Sequence, residues 1–551
     1  MGETITTRVA IIGGGPAGLT VALELGQRGI DCVLIEDNPE APNFPKANAT
    51  TSRSMEHYRR LGIAKDVRAY ALPEGYPTDI TYLTRYSGYE LARLVGENLK
   101  PDDWRTAHES RWPTSEPLAR VQQMNVEKVM REAVAKCESV NGLLGWRVEA
   151  VVHNSRPLVI TAKDVSSDDM VTVEADYVVG ADGPHSIVRK TLGIKYEGYS
   201  DFDRDFMGGP MLATYFQSKD FYDVTGELSW QYWAINSEQR GLICALDGHD
   251  MFVLYTQMSP GQTGDIELAH NSLELAMGRP FEFEIIGCKD WQAGLALVVE
   301  QMADDKDDPR LFLVGDAAHL FTPTGGQGYN TAVDDGVNLG WKLAAVCDGW
   351  GGSELLKSFQ TERQSIARRN TGFARAMAEE IGRLDIPDRL ETDTAEGEVL
   401  RNELGASLQI YTAKEFDIPG ITYGVFYGGS EIVCGDDSPP PPDDWNAYVA
   451  TTVPGARAPH IWVDENTSIH DLFGQGFTLV RFSEAEPGED ALLIEAQKTG
   501  VPLKVIDVKL EAARMLYQYD RVLIRPDHHV AWRANRLPDD FIRVLQISSG
   551  T

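Results

Sequence analysis

Positive charge is scarce in this chain of 551 residues, where 51 Lys and Arg stand against 83 Asp and Glu and leave a formal charge of −32. A field of that sign repels phosphate backbones, which excludes nucleic acid and anionic membrane surfaces as partners. Long apolar runs are missing too, with none approaching the ~18 residues that a membrane helix needs. Cysteine is sparse: Cys32, Cys137, Cys244, Cys288, Cys347 and Cys434 are scattered, with no C-x-x-C pair and no clustered histidines. That excludes a disulfide framework and a zinc site, so no metal ligands are expected and the thiols read as reduced core residues of a cytoplasmic protein. The first residues lack the basic and apolar regions of a secretory signal.

What remains is ordinary globular usage, 42% hydrophobic and 24% charged, in a chain too long for one core. At least two domains are expected. The opening "TTRVAIIGGGPAGLTVALELGQRGIDCVLIED" reads strand, glycine turn, helix, strand, a βαβ unit. Residues 201–290, with "MLATYFQS", "LSWQYWAI", "RGLICALD" and "DMFVLYTQM", read as an inserted antiparallel sheet, joined by part of 75–104. Helices are expected from about Tyr329 and from about Glu354 to Leu384. Near Cys434 "GDDSPPPPDDW" favours an extended connection. Residues 1–400 are therefore one unit, 401–447 a linker region and 448–551 a second domain. In the latter, "FTLVRF", "PLKVIDV", "DRVLIR" and "HVAWR" read as short strands.

Gly13, Gly15 and Gly18 form G-x-G-x-x-G around Pro16 and Ala17, between strand and helix. The first glycine allows the turn, the second lets a pyrophosphate approach the backbone, and the third lets helix pack on strand. Glu36 ends the next strand, where a carboxylate can accept from ribose hydroxyls. FAD and NAD fit this motif equally well.

Two further segments distinguish them. "ADGPHSIVRK", with Asp182, Gly183, Ser186 and Arg189, and "RLFLVGDAAHLFTPTGGQGYNTAVDDGVNLGWKL", with Gly315 and Asp316, follow the glycine loop in order. Over residues 5–400 the set resembles the FAD-dependent aromatic hydroxylases, single-component flavoprotein monooxygenases of the phenol hydroxylase and 3-(3-hydroxyphenyl)propionate hydroxylase type. The resemblance implies an α/β fold: a Rossmann-like FAD-binding framework carrying a mixed or antiparallel substrate sheet. It places Asp316 on the flavin ribityl chain and Pro323, Gly325, Gly326, Gln327, Gly328, Tyr329 and Asn330 along the isoalloxazine. Asp182 and Arg189 either touch cofactor or brace the fold. "FPKANATTSRSMEHYRRLG" nominates Lys46, where the family commonly has arginine, and Arg53. "ARVQQMNVEKVMREA" nominates Arg120 and Gln123. "YVATTVPGARAPHIWV" and "VLIRPDHHVAWR" resemble the thioredoxin-like tail of the phenol-hydroxylase branch, here without a cysteine after Cys434 and so without disulfide chemistry.

The resemblance implies that NADPH or NADH reduces FAD, that O₂ adds to give a flavin 4a-hydroperoxide, and that oxygen passes to a phenolic or polyketide-like small aromatic. Epoxidation, Baeyer-Villiger insertion or oxidative dearomatisation remain open, as does a non-catalytic flavin-binding scaffold. A homodimer is one open assembly state. Phenol hydroxylases of this branch carry an Asp where this chain has Asn48, which cannot accept a proton at neutral pH. The sheet offers Arg204, Tyr215, Tyr232, Trp233, His249 and Tyr255 instead; Tyr232, as proton relay, and Arg204, as phenolate partner, are the favoured catalytic pair.

Overall fold

In a computed structural model, which describes residues 3–96, 111–200, 206–259, 261–486 and 488–551, the chain begins with the strand β1, Glu3–Ile12. Val9, Ala10 and Ile11 have no exposed surface, because β1 lies between two parallel neighbours: β2, Cys32–Glu36, and the strand Met170–Gly180. Parallel strands covered on both faces must be apolar throughout, which the run of buried Val, Ala and Ile supplies. The sheet continues through Val140–Leu144 beyond β2, and through the antiparallel Leu158–Asp164 and Trp146–Val152 beyond Met170–Gly180; Leu311–Leu313 also pairs with Met170–Gly180. The helix α1, Pro16–Gly26, packs on the helix Gln327–Cys347. Their close approach depends on small residues: a Cβ on Gly336 would meet Thr20 Cβ at 2.7 Å, and one on Gly340 would meet Glu24 Cβ at 2.5 Å.

A second seven-stranded sheet runs in the order Glu284–Gln292, Pro210–Gln217, Met251–Gln257, Arg240–Ala245, Gln231–Ile235, Ile80–Leu83, Glu90–Leu94. It is mixed, since Gln231–Ile235 and Ile80–Leu83 pair in parallel. Successive side chains on a strand face opposite ways. Trp233, Ile235, Leu242, Cys244, Val253 and Tyr82 therefore join one apolar cluster, shared with Phe373 and Leu408 of two long helices, Ser353–Gly382 and Ala395–Phe416. Tyr232, Ala234, Ile243, Phe252 and Leu254 join another, closed by Leu273 and Met277 of the helix Ile266–Met277. The first cluster includes Phe44 and Ala49 at its margin, so this is the face turned toward the segment after β2.

Residues 477–549 form βαβαββα, with the sheet order Leu503–Asp507, Phe477–Arg481, Arg521–Ile524, Val530–Ala534. Only the first pair is parallel, the order of the thioredoxin-like α/β domain that the sequence suggested. The division at residue 400 does not match an element boundary. It cuts the helix Ala395–Phe416, capped at its start by the Thr394 side chain, whose Leu404 and Leu408 are core residues; residues 401–416 are packed structure, not linker. Among the described residues no helix is long and apolar enough to cross a membrane.

Candidate active site

The turn after β1 admits only glycine at two of its three motif positions. Gly13 has φ +107°, and a Cβ there would lie 2.2 Å from the Ala181 carbonyl oxygen; one on Gly18 would lie 2.0 Å from that of Gly13. Those two serve packing. A Cβ on Gly15 would meet nothing within 4 Å. Pro16 and Ala17 then open α1 with no side chain capping its N–H groups, so free donors and a positive dipole end face an open approach, which fits a pyrophosphate. Glu36 accepts from Gly14 N–H at 2.5 Å and from Asn38 N–H at 2.9 Å. Burial pushes its carboxyl up, but these donors outweigh it and hold the group below the ordinary range. It stays an acceptor at neutral pH, as ribose hydroxyls require. Arg131, not anticipated from sequence, stands 4.0 Å from Glu36 with its Nε unpartnered. The signal was available: Gln123, Glu127 and Arg131 recur every four residues on one helix face.

The third motif is anchored by a residue the sequence reading missed. Asp335, fully buried, accepts from Gly315 N–H at 3.1 Å, binds His319 Nε2 at 2.6 Å and accepts from Arg363 Nε at 2.8 Å. Gly315 has φ +59°, and a Cβ there would stand 3.1 Å from Ala17 Cβ, which sets the motif against the glycine loop. Asp316, next to Gly315, is exposed, with protein packed around its carboxyl. That enclosure raises its carboxyl, opposed by the charges of His319 and Lys46. Gly325 and Gly326 have φ of +69° and +63°, bending the chain into Gln327–Cys347, whose N-terminus again has no side-chain cap. An uncapped helix end fits the anionic edge of a reduced flavin. Gln327 Nε2 donates to Gly325 O at 2.7 Å. Asn330 ties the strap to the segment after β2, accepting from Thr51 N–H at 2.9 Å and Ser54 Oγ at 2.7 Å while donating to Gly326 O and Ala49 O. Tyr329 O–H meets Tyr58 O–H at 2.5 Å, Pro323 is exposed, and Gly328 packs on Phe321.

Other nominated residues divide. Lys46 is exposed and its charge reaches Asp316 and Glu127. Gln123 clasps the same segment, its N–H donating to Ala47 O at 2.8 Å and its Nε2 to Glu127 at 2.7 Å. Asp182 braces the chain: one oxygen accepts from Ile187 and Val188 N–H, while the other is unpartnered. Arg189 likewise donates to Ile194 O and Pro184 O and lies 4.2 Å over Tyr196, whose hydroxyl donates to Asp316 O. Arg53 is a correction. It is buried against Glu56 at 3.2 Å and Asp527 O at 2.8 Å, because a guanidinium taken from water needs a carboxylate and finds it in Glu56 of its own helix, with a main-chain carbonyl of the C-terminal domain beside it. Tyr232 is another. Its hydroxyl donates to Glu227 O at 2.8 Å and accepts from Ser229 N–H at 2.7 Å on the outer face of the sheet, where strand alternation puts it with Phe221 and opposite the face that meets the segment after β2. Arg204 lies outside the described residues.

The inner face carries the polar groups instead. Arg120 lies 3.3 Å over the Trp230 ring, its Nε unpartnered and no carboxylate beside it among the described residues. Burial pushes its guanidinium down to about 9, against the Cys244 thiol's influence. Burial pushes the Cys244 thiol up while Asn48, standing near it, opposes that push, and Tyr255 donates to Lys46 O at 3.1 Å. Tyr82 stacks on Trp233 at 5.6 Å. Glu415, also unanticipated, accepts from Gly325 N–H at 2.9 Å with one oxygen and leaves the other without a partner. Burial pushes this carboxyl up to about 7, with only Tyr411 and the Gly325 N–H opposing. Among the described residues no group of three or more His, Cys, Asp or Glu is placed to hold a metal ion.

Comparison with known proteins gives the same picture for the whole chain. Residues 6–374 match the FAD binding domain family, and residues 451–547 match the aromatic-ring hydroxylase C-terminal family. The FAD-dependent monooxygenase apdD of Emericella nidulans is 30% identical over 98% of this chain and 90% of its own. Aklavinone 12-hydroxylase RdmE of Streptomyces purpurascens is 26% identical over 98% and 97%. Among solved structures, RebC soaked with chromopyrrolic acid and holding 7-carboxy-K252c superposes with a TM-score of 0.88 at 30% identity, covering 100% of both chains.

Proposed function

Since the chain belongs to the FAD-binding monooxygenase family with an aromatic-ring hydroxylase C-terminal domain, we propose that it hydroxylates a phenolic or polyketide-like aromatic with NAD(P)H and O₂. One observation carries this reading. The segment Phe44–Ala49 lies between the cofactor motifs and the inner face of the sheet: Gly326 packs toward Ala49, Phe44 meets Tyr215 ring to ring at 6.0 Å, and Lys46 O accepts from Tyr255. A flavin held by those motifs would stand across this segment from an aromatic-lined wall.

In this proposal Gly15 and the first turn of α1 hold the pyrophosphate, Glu36 the adenosine ribose, Asp316 the ribityl chain, and Pro323–Gly328 the isoalloxazine. Arg131 and Lys46 counter the negative field of the chain locally. Bound FAD supplies the chemistry, accepting hydride from NAD(P)H and activating O₂ for transfer. The protein's part is to orient the aromatic against the sheet, to exclude water with the Trp230, Trp233 and Phe206 cluster, and to stabilise phenolate beside Arg120. We place the chain in the cytoplasm, in keeping with six free cysteines, with the C-terminal domain from about residue 448 as a packing module or homodimer surface. The test is NAD(P)H consumption by the flavin-loaded protein against a panel of phenols, hydroxynaphthalenes and hydroxyanthracenes, with product masses. A product 16 mass units heavier supports the reading. Turnover that yields only hydrogen peroxide with every compound overturns it.

A further inference from the structure

The side chain at residue 48 is an amide, so this site needs its proton acceptor from elsewhere. Among the described residues the inner face supplies a carboxyl with unmet capacity. Glu415 is 2% exposed, and among the described residues nothing basic pairs with it. The groups that face it are the Gly325 N–H, the Tyr411 hydroxyl from its own helix, and the Tyr82 hydroxyl from the strand Ile80–Leu83. Glu380 of the helix Ser353–Gly382 lies beyond Tyr411 and is bound to Lys414. Glu415 Oε2, Tyr411 Oη and Tyr82 Oη are all buried and all lack a hydrogen-bond partner. Three such atoms converging in one apolar cluster are costly unless something polar joins them. Phe416, next in the chain, packs on Trp230 at 6.2 Å, and Trp230 carries Arg120. An acid and a cation thus flank the same aromatic wall.

We propose that Glu415 is the catalytic proton acceptor of this site, taking the proton of a substrate hydroxyl seated against Tyr82 and Tyr411. The inference rests on the hydroxylase reading. In the step, the substrate O–H bond breaks, the proton bonds to Glu415 Oε2, and the electron pair stays on the substrate oxygen as phenolate, activating the ring carbons toward oxygen transfer. After product release the proton returns to solvent. A carboxyl pushed up by burial is matched to this task, since it is ionised enough to accept and basic enough to hold a proton near neutral pH. Its bond to Gly325 couples the acceptor to the segment that would carry the isoalloxazine.

The experiment uses the flavin-loaded protein and the phenol of the panel converted fastest, with kcat measured between pH 5.5 and 9. The wild-type chain should lose activity as pH falls through about 7. Glu415→Gln, which keeps an acceptor for Gly325 N–H, should lack that limb and run about 100-fold slower at pH 8, while Glu415→Asp restores part of the rate. Equal rates and an unchanged limb in Glu415→Gln overturn the proposal. Should that variant fail to fold, infrared difference spectra of the wild-type protein decide. Binding the phenol at pH 8 should produce a protonated-carboxyl band that its methyl ether does not produce and that Tyr411→Phe shifts; absence of the band overturns the proposal. No oxygenated product from any phenol defeats the hydroxylase reading and this inference with it. Product formation with an unaltered Glu415→Gln profile defeats the inference alone.

Discussion

At the seam between the C-terminal domain and the rest of the chain, Glu362 accepts hydrogen bonds from Arg525, Lys342, Asn338 and Ser430, whereas Glu415 at the inner face of the mixed sheet accepts one among the described residues, from a backbone N–H. The two are buried alike, at 1% and 2% exposure. Burial drives both carboxyls up, but two cations at the seam reverse the effect and hold Glu362 well below the ordinary range, while Glu415 rises. The same contrast recurs in the arginines. Arg457 and Arg525 are locked to Glu56, Glu362 and Asp527; Arg120 lies over an indole face and has no carboxylate beside it among the described residues. Buried charge with complete pairing is architecture. Buried charge with unmet capacity marks the place where a ligand belongs.

The strongest way to test that division is to break a pair at the seam. Arg525→Ala leaves Glu362 and Asp527 short of their shared cation and should cost about 3–5 kcal/mol, read as a fall in the urea midpoint. A loss under about 1 kcal/mol would erase the contrast between the regions. The pH dependence of stability should then separate them by sign. Burial, then the charge of Arg53, holds His57 down to about 4 despite its bond to Asp334 at 2.9 Å. Between pH 6.5 and 4 the unfolded chain binds a proton there that the folded chain refuses, so stability falls as pH drops through that window, by on the order of 3 kcal/mol. Asp334, held down to about 2, extends the loss as pH falls below 3.8. Glu415 acts oppositely: its raised carboxyl holds a proton when folded, so its contribution is present below about 4.5 and lost as pH rises through about 7. Thermal midpoints across pH for the wild-type chain and Glu415→Gln should show the variant losing only the second trend.

Much of this was legible in the sequence because it depends on local order. The glycine motif, the helices starting near residues 327 and 353 and the four tail strands follow from periodicity and turn residues. Which residues meet across long separations was not. Arg53 was nominated for a pyrophosphate, yet it pairs with Glu56 and donates to the main-chain oxygen of Asp527, 474 residues away. Glu415 lies in a stretch read as linker, and nothing in "YTAKEF" says that its carboxyl ends against Gly325, 90 residues earlier. Asp335 and Arg131 carried a usable signal, the second acid of "VDDG" and a four-residue stripe.

Smaller effects refine the comparison at the inner face itself. Because Arg120 has no carboxylate partner among the described residues, Arg120→Met should leave the urea midpoint within about 1 kcal/mol of wild type, unlike Arg525→Ala. The same variant should raise KM for a phenol about tenfold, corresponding to ~1.4 kcal/mol. A large stability loss with unchanged KM would move Arg120 to the structural class.

The smallest expected effect separates the two faces of one strand. Tyr232 and Trp233 are neighbours in sequence, and the period of two sends them to opposite sides of the sheet: Trp233 to the inner face with Tyr82 and Phe206, Tyr232 to the outer layer with Phe221. The Tyr232 hydroxyl is already used twice, as donor to Glu227 O and as acceptor from Ser229 N–H. Tyr232→Phe removes both bonds and leaves a buried N–H bare, so stability should fall by about 1–2 kcal/mol. The kcat and its pH profile should not move, because no atom of Tyr232 faces the aromatic wall. A hundredfold loss of kcat with intact stability would return Tyr232 to the role of proton relay and place the reacting hydroxyl on the other face of the sheet, which would remove Glu415 from the reaction as well.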